Sequence, residues 1–256
     1  PVFAVYSTFL QRSYDMLLHD VALQKLHVVL AVDRAGLVGE DGETHQGIFD
    51  IAYLSSVPGM TILCPASFAE LKSMLEHALF KVRGPVAVRY PRGGEGRFRQ
   101  NTGVEGTAVV RRGDTFTLIA YGTMINVVLD AADMLEERGV SVRVLKLNSV
   151  RPLDMAPIRQ AVRETGHLLV AEECVEQGCV GVRALAALEA SGTAAKTALV
   201  NCGTGYVPHG EMSGSLTLVN LGEQFVPHGT VDQLRKLCGI DAASISQKAL
   251  EVLGRG

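Results

Sequence analysis

The sequence contains no tryptophan, no Cys-x-x-Cys pair and no long uninterrupted run of apolar residues. A membrane-spanning helix needs about 18 or more such residues in succession, so the missing run excludes one. The cysteines are five, an odd number, and scattered. This usage is typical of reduced thiols in the cytoplasm rather than of a disulfide framework or a zinc site.

The sequence also has no large excess of charge of one sign. Its net charge of −3 gives no reason to expect a nucleic acid or an anionic membrane as partner. The 256 residues are 47% hydrophobic, which is enough apolar material for the cores of one or two domains. The sequence begins at Pro1, not Met, already within a strand-like run. We therefore expect it to continue a longer protein.

Short apolar runs alternate with longer segments of helical period over residues 1–95. The predicted strands are Val2–Tyr6, His27–Val32, Thr61–Leu63 and Val86–Tyr90. The predicted helices run from a cap at Ser7 or Thr8 to about Leu26, from Ile48 to Leu54, and from a capping box at Ser67 to about Val82. This alternation is typical of a parallel sheet with helices on both faces.

Residues 96–114 are rich in glycine and arginine and are predicted to form a linker. The alternation then resumes over residues 115–256. The predicted strands there are Phe116–Tyr121, Ser141–Leu147, His167–Ala171 and Thr197–Asn201. The predicted helices are Ile125–Arg138, Ala156–Glu164, Val180–Ala190, Val231–Leu237 and Asp241–Leu253. The predicted fold class is therefore α/β, with two domains that each contain a mostly parallel sheet and helices on both faces.

The loop after the second predicted strand, residues 33–47, contains four glycines and has no helical or strand period. Such glycines allow a backbone to turn sharply and to approach a ligand closely. Open α/β sheets bind ligands at the carboxyl ends of their strands, where this loop begins. Arg34 suits a phosphate or carboxylate, and Asp41 is close enough in sequence to orient the His45 imidazole for proton transfer. A solvated surface loop is the alternative interpretation.

Two further segments lie at predicted strand ends. Tyr6, Phe9 and Arg12 form either a flat aromatic wall for a heteroaromatic ring or ordinary packing, with Phe9 in the core and Arg12 in solvent. Arg92 follows the fourth predicted strand. It either faces the same crevice as Arg34, where both could hold a phosphate, or belongs to the linker.

These segments resemble a known family. The motifs are Tyr-Ser-Thr-Phe-Leu-Gln-Arg (6–12), Asp-Arg-Ala-Gly (33–36), Asp-Gly-x-Thr-His-Gln-Gly (41–47) and Arg-Tyr-Pro-Arg-Gly (89–93). Their order and separations are similar to those of the 1-deoxy-D-xylulose-5-phosphate synthases, thiamine-diphosphate enzymes of the transketolase superfamily. Phe-Val-Pro-His-Gly (225–229) and the two α/β domains agree, so the resemblance covers essentially the whole sequence.

The resemblance implies decarboxylation of pyruvate with thiamine diphosphate and Mg²⁺ as cofactors. It implies condensation with D-glyceraldehyde 3-phosphate to give 1-deoxy-D-xylulose 5-phosphate, a precursor of isoprenoids, thiamine and pyridoxal. A cytoplasmic homodimer is implied as well. Carried over to this sequence, Phe9 stacks on the aminopyrimidine ring of the cofactor, with Arg12 nearby and Tyr6 lining the pocket.

The substrate-binding residues implied by the resemblance are Arg34 and Arg92, which bind the phosphate of the aldehyde. Tyr6 and Asp41 also contact substrate, and Asp41 and His45 assist proton transfer. No residue of this sequence is assigned as a metal ligand. The implied chemistry is plausible because the cofactor supplies the electron sink, while the protein positions it and excludes water.

The sequence departs from the family pattern in two respects. The family binds the diphosphate and Mg²⁺ through a Gly-Asp-Gly motif in an earlier domain, and no Gly-Asp-Gly occurs here. The glutamate that contacts the aminopyrimidine ring lies upstream of the Tyr-Ser-Thr-Phe motif in the family. We therefore expect most of a pyrimidine-binding domain followed by a C-terminal domain, carrying only the aminopyrimidine half of the cofactor site. The isolated chain is expected to be inactive without the missing N-terminal domain.

Two alternatives remain open. The chain could be a separate subunit of a split transketolase, or the β subunit of a 2-oxoacid dehydrogenase, in which these two domains form one polypeptide. It could also be a noncatalytic binding or regulatory protein that uses the same fold, because a fold does not determine a function. The joint presence of the aromatic, cationic and acidic residues named above argues against the noncatalytic alternative.

Overall fold

The computed structural model describes residues 1–192, 196–201 and 215–255. Over these residues the chain forms two α/β units, each with a mostly parallel sheet, so the predicted fold class is confirmed. The elements of the first unit are β1 (Val2–Tyr6), α1 (Ser7–Leu10), α2 (Tyr14–Met16), β2 (Val29–Asp33), α3 (Asp50–Ser56), β3 (Thr61–Leu63), α4 (Phe68–Phe80) and β4 (Val86–Arg89).

The remaining elements follow in chain order and belong to the second unit, apart from β8. They are β5 (Thr107–Arg111), β6 (Phe116–Tyr121), α5 (Met124–Glu136), β7 (Val142–Leu147), β8 (Ser149–Arg151), α6 (Met155–Thr165), β9 (His167–Ala171), α7 (Val180–Ala190), β10 (Lys196–Asn201), β11 (Ser215–Asn220), α8 (Val231–Leu237) and α9 (Ala242–Val252). Among the described residues, no helix is both long enough and apolar enough to cross a membrane.

The first sheet has the strand order β1-β2-β4-β3-β8. Its first four strands are parallel, and β8 is antiparallel to β3. In this register Tyr6 of β1 pairs with Asp33 of β2, and Val32 of β2 pairs with Arg89 of β4. The segments that leave these three strands at their carboxyl ends therefore begin side by side. The register places all the predicted site segments at one edge of the sheet.

The structure corrects the predicted single helix from Ser7 or Thr8 to about Leu26. Turns of different pitch follow one another there: α1, a 3₁₀ turn at Gln11–Ser13, α2, and a π-helical turn at Leu17–Ala22. No side chain caps the first helical turn. The Thr8 hydroxyl instead donates to the backbone carbonyl of Thr44 at 2.8 Å, so it ties this segment to the glycine-rich loop.

The second sheet has the order β10-β11-β9-β6-β7-β5 and is parallel except for β5. It differs from the prediction in three ways. Strand β5 lies inside residues 96–114, which were predicted as linker, and pairs antiparallel with β7. Strand β11 was not predicted. Strand β8 follows β7 in the chain but joins the first sheet, so the two units share a sheet rather than only a linker.

A buried polar link also joins the units. The Lys146 Nζ atom of β7 lies 2.9 Å from a carboxylate oxygen of Glu70 on α4, and both side chains are fully buried. Lys146 also donates to Asn148, and Glu70 accepts from Thr102. Burial lowers the pKa of Lys146, and attraction to Glu70 opposes that shift. One continuous apolar cluster contains buried residues of both sheets, so packing and polar contacts act together at this junction.

Candidate active site

Arg34 and Tyr6 lie together at the carboxyl edge of the first sheet. The register of β1 and β2 makes them neighbours, and the Arg34 guanidinium carbon lies 4.1 Å from the centroid of the Tyr6 ring. Arg34 has a φ of +55°, a left-handed conformation that residues other than glycine rarely adopt. Its backbone N–H donates to the Asp33 carboxylate at 2.7 Å. A cation–π contact and a local hydrogen bond thus hold this arginine in an unusual backbone conformation.

Asp41 brings Arg34 and Arg92 together. Its Oδ2 atom accepts a close hydrogen bond from Arg34 and another from Arg92 Nη1 at 3.2 Å. The Arg34 side chain is 21% exposed and that of Arg92 is 51% exposed. Two guanidinium groups against one carboxylate leave a net positive charge and unused N–H donors. This arrangement can bind a phosphate by charge-assisted hydrogen bonds.

Phe9 forms an exposed aromatic ledge beside this cationic cluster. Its ring stacks on Tyr6 with centroids 5.7 Å apart and an interplanar angle of 23°. The His45 ring meets it edge-on at 5.4 Å, and the Arg12 guanidinium lies 6.0 Å from its centroid. Phe9 is 39% exposed, so it is not a core residue. Offset stacking of this kind suits a flat heteroaromatic ligand.

His45 lies in the cluster, but Asp41 does not orient it as the sequence interpretation suggested. The His45 Nδ1 atom lies 2.9 Å from the Thr44 hydroxyl, whereas the Asp41 carboxylate is directed to Arg34 and Arg92. The reason is electrostatic, because a carboxylate gains more from two guanidinium groups than from one imidazole. Thr44 is therefore the residue that fixes the His45 ring.

Gly36 and Gly47 pair with each other where the loop begins and ends, and we call this pair the neck of the loop. Their backbones exchange two hydrogen bonds of 2.7 and 2.8 Å in an isolated antiparallel bridge. A Cβ atom on Gly47 would overlap the carbonyl oxygen of Arg34, and one on Gly36, where φ is +82°, would overlap the Glu173 carboxylate. Only glycine fits at these two positions. The tight neck explains how residues 33–47 form a defined site without regular secondary structure.

A buried ion pair beneath the loop was not predicted from the sequence. Arg89 Nε lies 2.7 Å from Asp50 Oδ2, and Arg89 Nη2 donates to the Gly47 carbonyl at 3.2 Å. Burial would lower the pKa of Arg89, but attraction to Asp50 and other groups raises it overall, so the guanidinium stays charged. Arg89 stands in the Arg-Tyr-Pro-Arg-Gly motif, which was the available signal for it.

The second unit also contacts the glycine-rich loop. Glu173, which follows β9, accepts a hydrogen bond from the backbone N–H of Leu37 at 3.3 Å. Gln46 Nε2 donates to the carbonyl of Pro227 at 3.1 Å. Sequence reasoning missed these contacts because the paired residues are far apart in the chain. They show that the loop is held between the two units.

A cavity of about 390 Å³ lies beside the cationic cluster. It opens at the carboxyl ends of β2, β3 and β4, and its lining includes Asp33, Ser67, Phe68, Tyr90 and Arg92. Burial raises the pKa of Tyr90, and the nearby Asp33 raises it further. Because Arg92 lines the cavity and also contacts Asp41, the cavity adjoins the cluster.

The residues present fit one part of the cofactor that the resemblance implies. The exposed Phe9 ring, stacked on Tyr6, suits the aminopyrimidine ring of thiamine diphosphate. Among the described residues, no group of three or more His, Cys, Asp or Glu side chains could hold a metal ion. The described part of the chain thus offers an aromatic contact for the ring.

Comparisons with known proteins match both units. The model of the transketolase pyrimidine-binding domain matches residues 1–94, and that of the transketolase C-terminal domain matches residues 106–220. The 1-deoxy-D-xylulose-5-phosphate synthase of Chlorobaculum tepidum is 42% identical over 98% of this chain and 37% of its own length. The enzyme of that name from Clostridium kluyveri is 40% identical over 99% of this chain and 38% of its own length. The chain thus spans less than two fifths of these relatives.

Solved structures agree on the fold. A structure described as a split-gene transketolase, an inactive beta4 tetramer, has a TM-score of 0.78 at 25% identity and covers 98% of this chain and 77% of that one. A transketolase variant from Pichia stipitis has a TM-score of 0.75 at 15% identity, over 99% of this chain and 34% of that one. At 15% identity the second match shows a shared fold alone.

Proposed function

This chain belongs to the transketolase family, as a pyrimidine-binding domain followed by a C-terminal domain, and from that premise we propose that it is part of a 1-deoxy-D-xylulose-5-phosphate synthase. The proposed reaction is the decarboxylation of pyruvate and its condensation with D-glyceraldehyde 3-phosphate, giving 1-deoxy-D-xylulose 5-phosphate and CO₂. The name and identity of the curated relatives support this choice. A cytoplasmic homodimer is part of the same proposal.

The observation that carries the proposal is the convergence of Arg34 and Arg92 on Asp41. In the proposed complex the two guanidinium groups bind the phosphate of D-glyceraldehyde 3-phosphate. A phosphate oxygen accepts hydrogen bonds in the plane of each guanidinium, which fixes the orientation of the substrate as well as its charge. The half-buried Arg34 and the more exposed Arg92 then contact the phosphate from the carboxyl ends of the neighbouring strands β2 and β4.

Phe9 and Tyr6 contact the cofactor in this proposal. Phe9 stacks on the aminopyrimidine ring, Arg12 borders it, and Tyr6 lines the pocket between the ring and Arg34. Thiamine diphosphate, when bound, supplies the electron sink for decarboxylation and carbon–carbon bond formation. The residues of this chain hold the ring and exclude water from one side of it.

His45 and Asp41 complete the proposed site. The His45 ring packs on Phe9 at an interplanar angle of 77° and is fixed through Nδ1 by Thr44, so Nε2 is the nitrogen left to donate a proton to, or accept one from, a substrate oxygen. Asp41 holds the two guanidinium groups beside each other and forms a hydrogen bond with the substrate in this proposal. The diphosphate and Mg²⁺ are to be held by residues outside the described part of this chain.

The proposal predicts phosphate-dependent binding by the chain itself. Arg34→Met and Arg92→Met are each expected to weaken binding of D-glyceraldehyde 3-phosphate at least about tenfold, because each removes a hydrogen bond between charged groups. Isothermal titration calorimetry measures this, with inorganic phosphate as a second ligand. Arg112→Met, which changes an exposed arginine beyond β5, is the matched control and should bind as the parent chain does. Equal binding by all variants contradicts the assignment of the phosphate site.

A second candidate function is a subunit of a split transketolase, in which another polypeptide provides the diphosphate-binding domain. The match to a split-gene transketolase over 77% of that chain favours it. The two candidates differ in the donor substrate. Consumption of pyruvate supports the synthase, whereas transfer from a ketose phosphate without release of CO₂ supports the split transketolase.

A further inference from the structure

The second unit holds the glycine-rich loop through a buried carboxylate. Glu173 is 5% exposed and follows β9. Its Oε1 atom lies 2.7 Å from both Nε and Nη2 of Arg235 on α8, and its Oε2 atom accepts from the Leu37 N–H at 3.3 Å. A guanidinium that contacts one carboxylate through two nitrogens restricts its rotation. Arg235 therefore fixes the direction in which Glu173 presents its second oxygen to the loop.

Glycine at position 36 lets this carboxylate approach the loop. A Cβ atom there would overlap Glu173 Oε2, and Gly36 is also half of the neck that it forms with Gly47. Arg34 lies two residues before the neck and Leu37 one residue after Gly36. Displacement of Glu173 would thus move the same short stretch of backbone that sets the position of the Arg34 guanidinium.

Two other contacts hold the loop from the second unit. The backbone N–H of Val175 donates to the Ile48 carbonyl at 3.1 Å, just past the neck. Gln46 is buried, accepts from Val38 N–H at 2.8 Å and donates to the Pro227 carbonyl. Of these contacts, that of Glu173 is the one made by a charged side chain.

We propose that Glu173, held by Arg235, is a positioning residue that sets the orientation of Arg34 for phosphate binding. The C-terminal unit then contributes to substrate binding without touching the substrate. The inference rests on the proposed function for its phosphate ligand. Its structural part, that Glu173 holds the backbone around Gly36 and Leu37 in place, rests only on the contacts described above.

The binding test uses the parent chain, Glu173→Ala and Glu173→Gln, with inorganic phosphate as the probe. The alanine variant loses both partners and is expected to bind phosphate about tenfold more weakly, as for one lost hydrogen bond to a charged group. The glutamine variant keeps the shape and an acceptor for Leu37, so it should recover part of that loss. Glu164→Gln, which changes a paired acid on α6, is the control and should bind normally. Unchanged phosphate affinity in Glu173→Ala overturns the contribution to binding.

Amide hydrogen exchange separates this inference from the proposed function, because it needs no ligand. The amides of Gly36, Leu37 and Gly47 should exchange faster in Glu173→Ala, while those of the central strands β6 and β9 stay as in the parent chain. A merely structural role would speed exchange throughout the second unit. If the loop amides are unchanged, the positioning role is wrong. If they are faster but the parent chain binds no phosphate, the proposed phosphate site is wrong and the control of the loop by Glu173 stands.

Discussion

Arg34 combines an unusual backbone conformation with a dense set of contacts. A left-handed conformation at a residue with a Cβ costs of the order of 1–3 kcal/mol and persists only where the surroundings enforce it. Here the Asp33 carboxylate, the Tyr6 ring and Asp41 enforce it. Such outliers concentrate at ligand sites. The backbone conformation of Arg34 is therefore support for the proposed site that does not depend on the relatives.

Gly47 offers a stability test at the scale of one residue. Gly47→Ala is expected to lower the free energy of unfolding by about 1–3 kcal/mol, because the added methyl overlaps the Arg34 carbonyl in a packed neck. Gly94→Ala is the control, since a Cβ there meets no atom within 4 Å. It should be neutral or slightly stabilising. Urea unfolding measures both, and a Gly47→Ala chain as stable as Gly94→Ala contradicts the tight neck.

At the scale of secondary-structure elements, α4 and β7 join the two units. Glu70 of α4 does not complete the predicted capping box with its side chain. Ser67 accepts from the Glu70 N–H, but the Glu70 carboxylate is directed to Ala66 N–H, to Thr102 and to Lys146 of β7. The sequence motif that predicts the start of α4 therefore also provides a contact between the two units. The chain then passes from β7 directly into β8 of the other sheet, which strengthens the same junction.

Removing one partner of the buried Lys146–Glu70 pair should lower the free energy of unfolding. Lys146→Met is expected to destabilise the protein by about 3–5 kcal/mol, because it leaves the Glu70 carboxylate in the interior without its cation. The double variant Lys146→Met with Glu70→Gln should recover part of the loss, since no uncompensated charge remains. Thermal and urea unfolding provide the measurement. Losses that simply add in the double variant would show that the two side chains act independently.

At the scale of the whole molecule, the site lies between the units and is assembled from both. The first unit supplies the aromatic ledge and the cations, and the second unit supplies Glu173 and the carbonyl of Pro227 that hold the loop. The curated relatives are more than twice as long as the part that this chain matches. We propose that binding of the diphosphate and Mg²⁺ requires residues beyond those described here.

This requirement gives a prediction for activity. With pyruvate, D-glyceraldehyde 3-phosphate, thiamine diphosphate and Mg²⁺, the 256-residue chain alone should form no 1-deoxy-D-xylulose 5-phosphate detectable by mass spectrometry. Joined to the diphosphate-binding part of a curated relative, it should form the product. Arg34→Met in the joined protein is the control and should reduce product formation. Product from the chain alone contradicts the proposal that it carries only half of the cofactor site.

The α/β class, most strand and helix positions and the grouping of Phe9, Arg34, His45 and Arg92 could be predicted from the sequence. The spacing of apolar residues predicts each helix and strand locally. Parallel strands joined by crossover helices then have their carboxyl ends at the same edge of the sheet. The succession of α-helical, 3₁₀ and π-helical turns after β1 could not be predicted, because no side-chain cap marks where one turn type changes to the next. Strand β5 was hidden by the glycine-rich and arginine-rich composition around it.

Other features were decided only by the tertiary structure. These are the strand order, the passage of β8 into the first sheet, the turn of Asp41 toward two arginines instead of His45, and the contact of Glu173 with Leu37. Each depends on which groups the packing brings within hydrogen-bond reach, and contacts such as that of Leu37 with Glu173, 136 positions apart, leave no local pattern in the sequence. The sequence by itself determined which side chains are available for chemistry, and the packing of the two units determined which of them meet.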